Sequence, residues 1–92
     1  MVNRRTKEVE TTQGTFVCRA MKHKEWKEFI KLTIQAQKDI EAGDASANER
    51  VEDFLLSKTS ASQEALDEMD RWEIQSLMDT VKDLTIGGTA KN

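Results

Sequence analysis

The chain has 92 residues, of which 37% are hydrophobic and 34% charged, and its net charge is −3. That length holds one core and no second domain, and the apolar share falls below the roughly 45–50% usual for globular domains, so the core is expected to be small. No apolar run approaches the roughly 18 residues of a membrane-spanning helix, and the lone Cys18 has no internal disulfide partner. With no apolar leader segment, these features point to a reducing cytoplasm.

The net charge conceals a gradient. Residues 1–31 hold eight basic and four acidic side chains, a net +4, whereas the remainder hold six basic and thirteen acidic, a net −7. Such a dipolar chain is suited to weak self-association or to presenting an acidic face to a basic partner. An inert solvated surface is the plainer alternative.

Residues 1–6 carry no periodicity and are expected to be flexible, as is a tail at 87–92. From Lys7 to Ala20 the chain is rich in Thr and Val around Gln13-Gly14, which predicts a short β-hairpin with Phe16 and Cys18 on one face. Two strands alone are marginal in water, so the hairpin must pack on helices. A first helix is predicted from His23 to Ala42. Trp26, Phe29, Ile30, Thr33, Gln37 and Ile40 form its apolar stripe, which Leu32 and Ile34 widen, and Gly43 supplies the left-handed stop. The pattern Ser46-x-x-Glu49 reads as a capping box opening a second helix that buries Ala47, Val51, Phe54 and Leu55. That helix runs out in the polar stretch Ser57–Ser60.

A helical turn carrying Ala65, Leu66 and Met69 follows. Asp70-x-x-Glu73 then resembles a second cap, ahead of Ile74, Leu77, Met78, Val81 and Leu84, which share one helical face. The fold expected for residues 7–86 is mainly α, a small bundle of three to four helices with a short N-terminal β-hairpin.

No side-chain constellation for catalysis or metal binding stands out, and no cofactor is expected. His23 lies between Lys22 and Lys24, which would repel a cation, and no further ligands are near in sequence. Cys18 lacks an orienting third group for nucleophilic chemistry and reads as a packed strand cysteine. The carboxylates Glu64, Asp67, Glu68, Asp70 and Glu73 flank helix starts, where the macrodipole favours them, rather than an apolar pocket that would raise one pKa. The basic cluster Arg19, Lys22, Lys24, Lys27 and Lys31 is interrupted by Glu25 and Glu28. The second helix carries Glu49, Glu52 and Asp53, which would repel DNA, so no nucleic-acid partner is expected. Trp26 belongs to the first helix's stripe. Trp72 lies off the apolar face of the last helix, where it either forms an interface patch with Met69 and Met78 or caps the core from the side.

Taken in order, the extended segment Val9–Arg19, the run Met21-Lys22-His23-Lys24-Glu25-Trp26 entering a long helix, a short acidic helix, and Ser62-Gln63-Glu64-Ala65-Leu66-Asp67-Glu68-Met69-Asp70 leading into the last helix resemble the tail assembly chaperones of long-tailed, siphophage-type bacteriophages. The resemblance covers about residues 8–85 and is one of pattern rather than of a diagnostic motif. It implies a non-enzymatic protein of the bacterial host cytoplasm that binds the tape measure protein, keeps it soluble, and helps tail tube protein subunits assemble around it. In many relatives a programmed ribosomal frameshift near the end of the short reading frame gives a longer product, and the ending Ala90-Lys91-Asn92 is compatible with an A-rich slippery stretch. Combined with the residue reading, the expected partner-binding residues are Met69, Trp72, Met78, Glu68, Asp70 and Glu73. A second reading, from the acidic balance, is a small regulatory or inhibitor protein that binds a basic nucleic-acid-binding partner.

Overall fold

A computed structural model describes residues 5–87. The expectations for residues 1–4 and 88–92, including the ending Ala90-Lys91-Asn92, lie outside the described residues. The order is β1 (Thr6–Thr11), β2 (Gly14–Arg19), α1 (His23–Glu41), α2 (Ala47–Leu56), α3 (Gln63–Glu68) and α4 (Arg71–Ile86). The chain is therefore mainly α, with four helices and an N-terminal antiparallel hairpin. The hairpin starts one residue earlier than Lys7, with Thr6 paired to Arg19 and the Arg5 carbonyl accepting from the Ala20 N–H at 2.9 Å.

The hairpin reverses through Thr12 and Gln13, and Gly14 supplies the positive φ of 120° that follows; glycine adopts this without steric cost. Val9 pairs with Phe16, and Lys7 with Cys18. Cys18 is fully buried, while Val9 packs against the core. Phe16 and Cys18 thus share the inner face, which lies on α4 as the marginal stability of a lone hairpin requires.

The stretch after α2 does more than end a helix. Ser60 N–H donates to the Val17 carbonyl at 2.9 Å and Arg19 N–H to the Lys58 carbonyl at 3.1 Å, with Thr59 bridging Cys18. Residues 58–60 thereby act as a third, very short strand that covers the free edge of β2. Nothing in the polar composition Ser-Lys-Thr-Ser marks that pairing in advance.

α1 ends as expected at Gly43, with φ 102°. The Gly43 N–H bonds the Ile40 carbonyl at 3.0 Å and the Asp44 N–H bonds the Asp39 carbonyl at 2.8 Å, the paired closure of a Schellman turn. Its apolar stripe is narrower than the spacing suggested. Ala36 is buried and Trp26 and Phe29 pack on the core, but Thr33 and Gln37 are exposed and Ile30, Ile34 and Ile40 are largely so. The reason is that α1 packs chiefly against one neighbour, α2, so only one side of the helix is covered.

The capping box expected at Ser46 does not form. Ser46 has φ −92° and ψ 1°, and its hydroxyl donates to Asp44 Oδ1 at 2.8 Å instead of accepting from the helix. Asp44 also accepts from the Ser46 N–H at 3.0 Å, so the carboxylate two residues upstream organises this turn. By contrast, the Ser62 hydroxyl caps α3 by accepting from the Ala65 N–H at 3.1 Å.

α4 carries the core. Ile74, Leu77, Met78 and Val81 are all buried and Leu84 packs beside them, as their spacing requires. They meet Cys18, Met21, Leu55 and Leu56. Around this cluster, Trp26 and Phe29 have ring centroids 5.6 Å apart, Phe29 stacks on Phe54 at 6.4 Å, and Lys58 Nζ lies 4.1 Å above the Phe54 ring.

Candidate partner-binding surface

The six residues singled out from the sequence separate into two groups. Trp72 is 65% exposed in the first turn of α4. Glu68 and Asp70 are exposed beside it in sequence, and Met69, in the extended link between α3 and α4, is half-buried against the core. These four fall within residues 68–72, so one exposed aromatic ring and two exposed carboxylates share the α3–α4 link and the start of α4, together with Arg71. The position of this segment is fixed from below by the anchoring of Met69 and of the α4 inner face.

Met78 and Glu73 do not belong to it. Met78 is 4% exposed and lies within the core cluster, so the α4 spacing that buries Leu77 and Val81 also buries this side chain. Glu73 is 2% exposed. Its Oε2 accepts from the Thr12 N–H at 2.5 Å, and its Oε1 accepts from the Thr12 hydroxyl at 2.8 Å and the Asp70 N–H at 3.0 Å. The expected cap at Asp70-x-x-Glu73 is present in its Glu73 half, and the same carboxylate also clasps the hairpin turn. Three donors to one carboxylate favour its charged form. The Thr12 N–H, then the Asp70 N–H and the Thr12 hydroxyl, hold Glu73 below its ordinary pKa, although burial acts in the opposite sense.

No family model matches the chain, and no curated protein or solved structure matches it either. The surface is therefore read from its own geometry.

A second charged cluster was not visible in the sequence. Glu25 accepts both terminal nitrogens of Arg19, at 2.9 and 3.0 Å, together with the Lys22 N–H at 2.8 Å, and it pairs with Lys58 Nζ at 3.2 Å. It thus ties the end of β2, the start of α1 and the strand-like segment after α2. The Arg19 guanidinium is the main cause that holds the Glu25 carboxyl well below the usual carboxylate range. The one available signal is the N3 position of Glu25 relative to Lys22; the contacts with Arg19 and Lys58 depend on tertiary packing. Arg71 forms a two-point pair with Glu52, which joins α2 to the start of α4 next to Trp72 in sequence.

Among the described residues no group of three or more His, Cys, Asp or Glu side chains is placed to hold a metal ion, and no helix is long and apolar enough to cross a membrane. Cys18 Sγ faces the Leu77 carbonyl at 3.9 Å. Burial pushes its thiol up to about 11, opposed only by Lys7, so it is an inert packed group near neutral pH. His23 is exposed.

Proposed function

We propose that the chain is a tail assembly chaperone of a long-tailed bacteriophage. In this reading it binds the tape measure protein in the bacterial host cytoplasm, keeps it soluble, and assists assembly of the tail tube protein around it. The observation that carries the reading is Trp72, 65% exposed on a helix whose inner face is already filled. Tryptophan dominates binding at protein interfaces because a large apolar area is desolvated at little conformational cost. Beside it in sequence, exposed Glu68 and Asp70 favour a lysine-bearing partner and raise its rate of encounter. An amphipathic helix of the tape measure protein fits this surface by laying its apolar side on Trp72 and Met69.

Trp72→Ala tests the assignment. A ring this exposed contributes little to folding, so the variant is expected to stay folded while a complex with the tape measure protein weakens by about 30-fold or more, the loss of a hot-spot residue worth at least about 2 kcal/mol. Unchanged recovery of the complex would remove Trp72 from the binding surface.

A further inference from the structure

Part of the apolar stripe on α1 is left uncovered. Phe29 stacks on Phe54 of α2 and Ala36 is buried, whereas Ile30 is 39% and Ile34 53% exposed. Trp26, Ile30 and Ile34 follow one another at steps of four, so they form one ridge along the helix. The ridge starts in a groove of about 410 Å³, where Trp26 meets Met21, Thr85 and the exposed Ile86. Thr85 adds little polarity there, because its hydroxyl already accepts from the Met21 N–H at 2.7 Å and donates to the Val81 carbonyl at 2.8 Å. Beside the ridge runs a second row, Lys24, Lys27, Lys31 and Lys38, all exposed. Steps of three, four and seven keep it on one side of the helix. Among the described residues none of these four lysines is in an ion pair. The exposed acids of α1 are Glu28 and Glu41, so the face keeps an excess of positive charge.

We propose that this face of α1 docks an acidic amphipathic helix of another protein. The apolar side of that helix packs on the ridge of Trp26, Ile30 and Ile34, and its carboxylates meet the lysine row. Lys24 and Lys38 are fourteen residues apart, about 21 Å along α1, so the occupant needs about four helical turns. Of the chain's own acidic helices, α2 and α3 are shorter than this, with ten and six residues, and α4 has Asp79 already paired with Lys82. A different protein therefore fits the face better than a second copy. Nucleic acid would leave both isoleucines unused, and two isoleucines bury too little apolar area to hold a membrane surface. The face is opposite in charge to the exposed carboxylates beside Trp72, so it selects a different partner segment from the lysine-bearing one proposed for that surface.

The test is fluorescence anisotropy of the full chain with a labelled synthetic helix of about 18 residues, long enough to span the face, with leucines on one side and glutamates beside them. No tape measure protein is present, so the outcome is independent of that reading. Wild type is expected to bind the peptide, and to bind it more weakly as salt rises. Ile34→Glu and Lys31→Glu, both at exposed positions, are each expected to weaken binding by about 10-fold or more, whereas Trp72→Ala leaves it unchanged. Circular dichroism of the variants shows that they retain the fold. No binding by wild type, unchanged binding by either α1 variant, or a loss with Trp72→Ala would each overturn the proposal. Sedimentation of the chain alone tests the other occupant: a fall in average mass caused by Ile34→Glu would assign the face to a second copy and overturn the proposal as well.

Discussion

Met78→Ala separates the core from the surface of α4 most sharply. Met78 is 4% exposed and packs in the cluster formed by Leu77, Val81, Leu55 and Cys18. The substitution removes three side-chain heavy atoms, worth ~2.5 kcal/mol in transfer alone at about 0.8 kcal/mol per methylene-sized group. Incomplete collapse around the hole adds a cavity cost, and the total falls within the about 2–5 kcal/mol seen for buried Met→Ala changes. A domain of this size has about 4–12 kcal/mol of stability to lose. A loss of ~3 kcal/mol would lower the melting temperature by about 12–24 °C. Urea unfolding followed by far-UV circular dichroism measures it, with Trp72→Ala as the control expected to change stability by no more than about 0.5 kcal/mol. A Met78→Ala loss below about 1 kcal/mol would refute the placement of this face in the core and return Met78 to the surface.

Acid should loosen the hairpin clasp. Glu73 has a lowered pKa in the folded chain, so its stabilisation is present above the unfolded value near 4.5 and is lost as pH falls through the lower folded value. Glu73→Gln is therefore expected to be less stable near neutral pH and to show a shallower loss below about pH 4.5, read from urea midpoints across pH; an unchanged slope would contradict the clasp. The Cys18 thiol, pushed up to about 11 and fully buried, should resist a thiol reagent at neutral pH until denaturant is added, and rapid labelling of the native protein would place it elsewhere. Gly43→Ala should cost about 1–2 kcal/mol, because the backbone there has φ 102° while the space around an added Cβ is empty. A neutral result in thermal unfolding would mean that the turn relaxes.

What could be read in the sequence was what depends on neighbours along the chain. The spacing of Ile74, Leu77, Met78, Val81 and Leu84 fixes the buried face of α4, and Gly14, Gly43 and Gly87 mark three positions where the backbone takes positive φ. What escaped depends on partners distant in sequence. The α1 stripe was read too wide because nothing local tells that only α2 covers it. Ser46-x-x-Glu49 looked like a cap, but Asp44 competes for the same turn and engages the Ser46 hydroxyl. Glu73 was assigned to the surface because a carboxylate at a helix start is usually solvated. Its burial follows from Thr12, sixty-one positions away, supplying two donors. Within the candidate surface, the sequence leaves Trp72 open between an interface patch and a cap on the core, and its exposure follows from the tertiary packing; Met78 is held by the face that it helps to define.

The most direct test of the chaperone reading is co-expression of this chain with a tape measure protein encoded beside it, followed by pull-down and size-exclusion chromatography. The account predicts that the tape measure protein, aggregated when expressed alone, is recovered in a soluble complex with the wild-type chain and is lost from it with Trp72→Ala. A tape measure protein that is soluble by itself and forms no complex with the chain would contradict it.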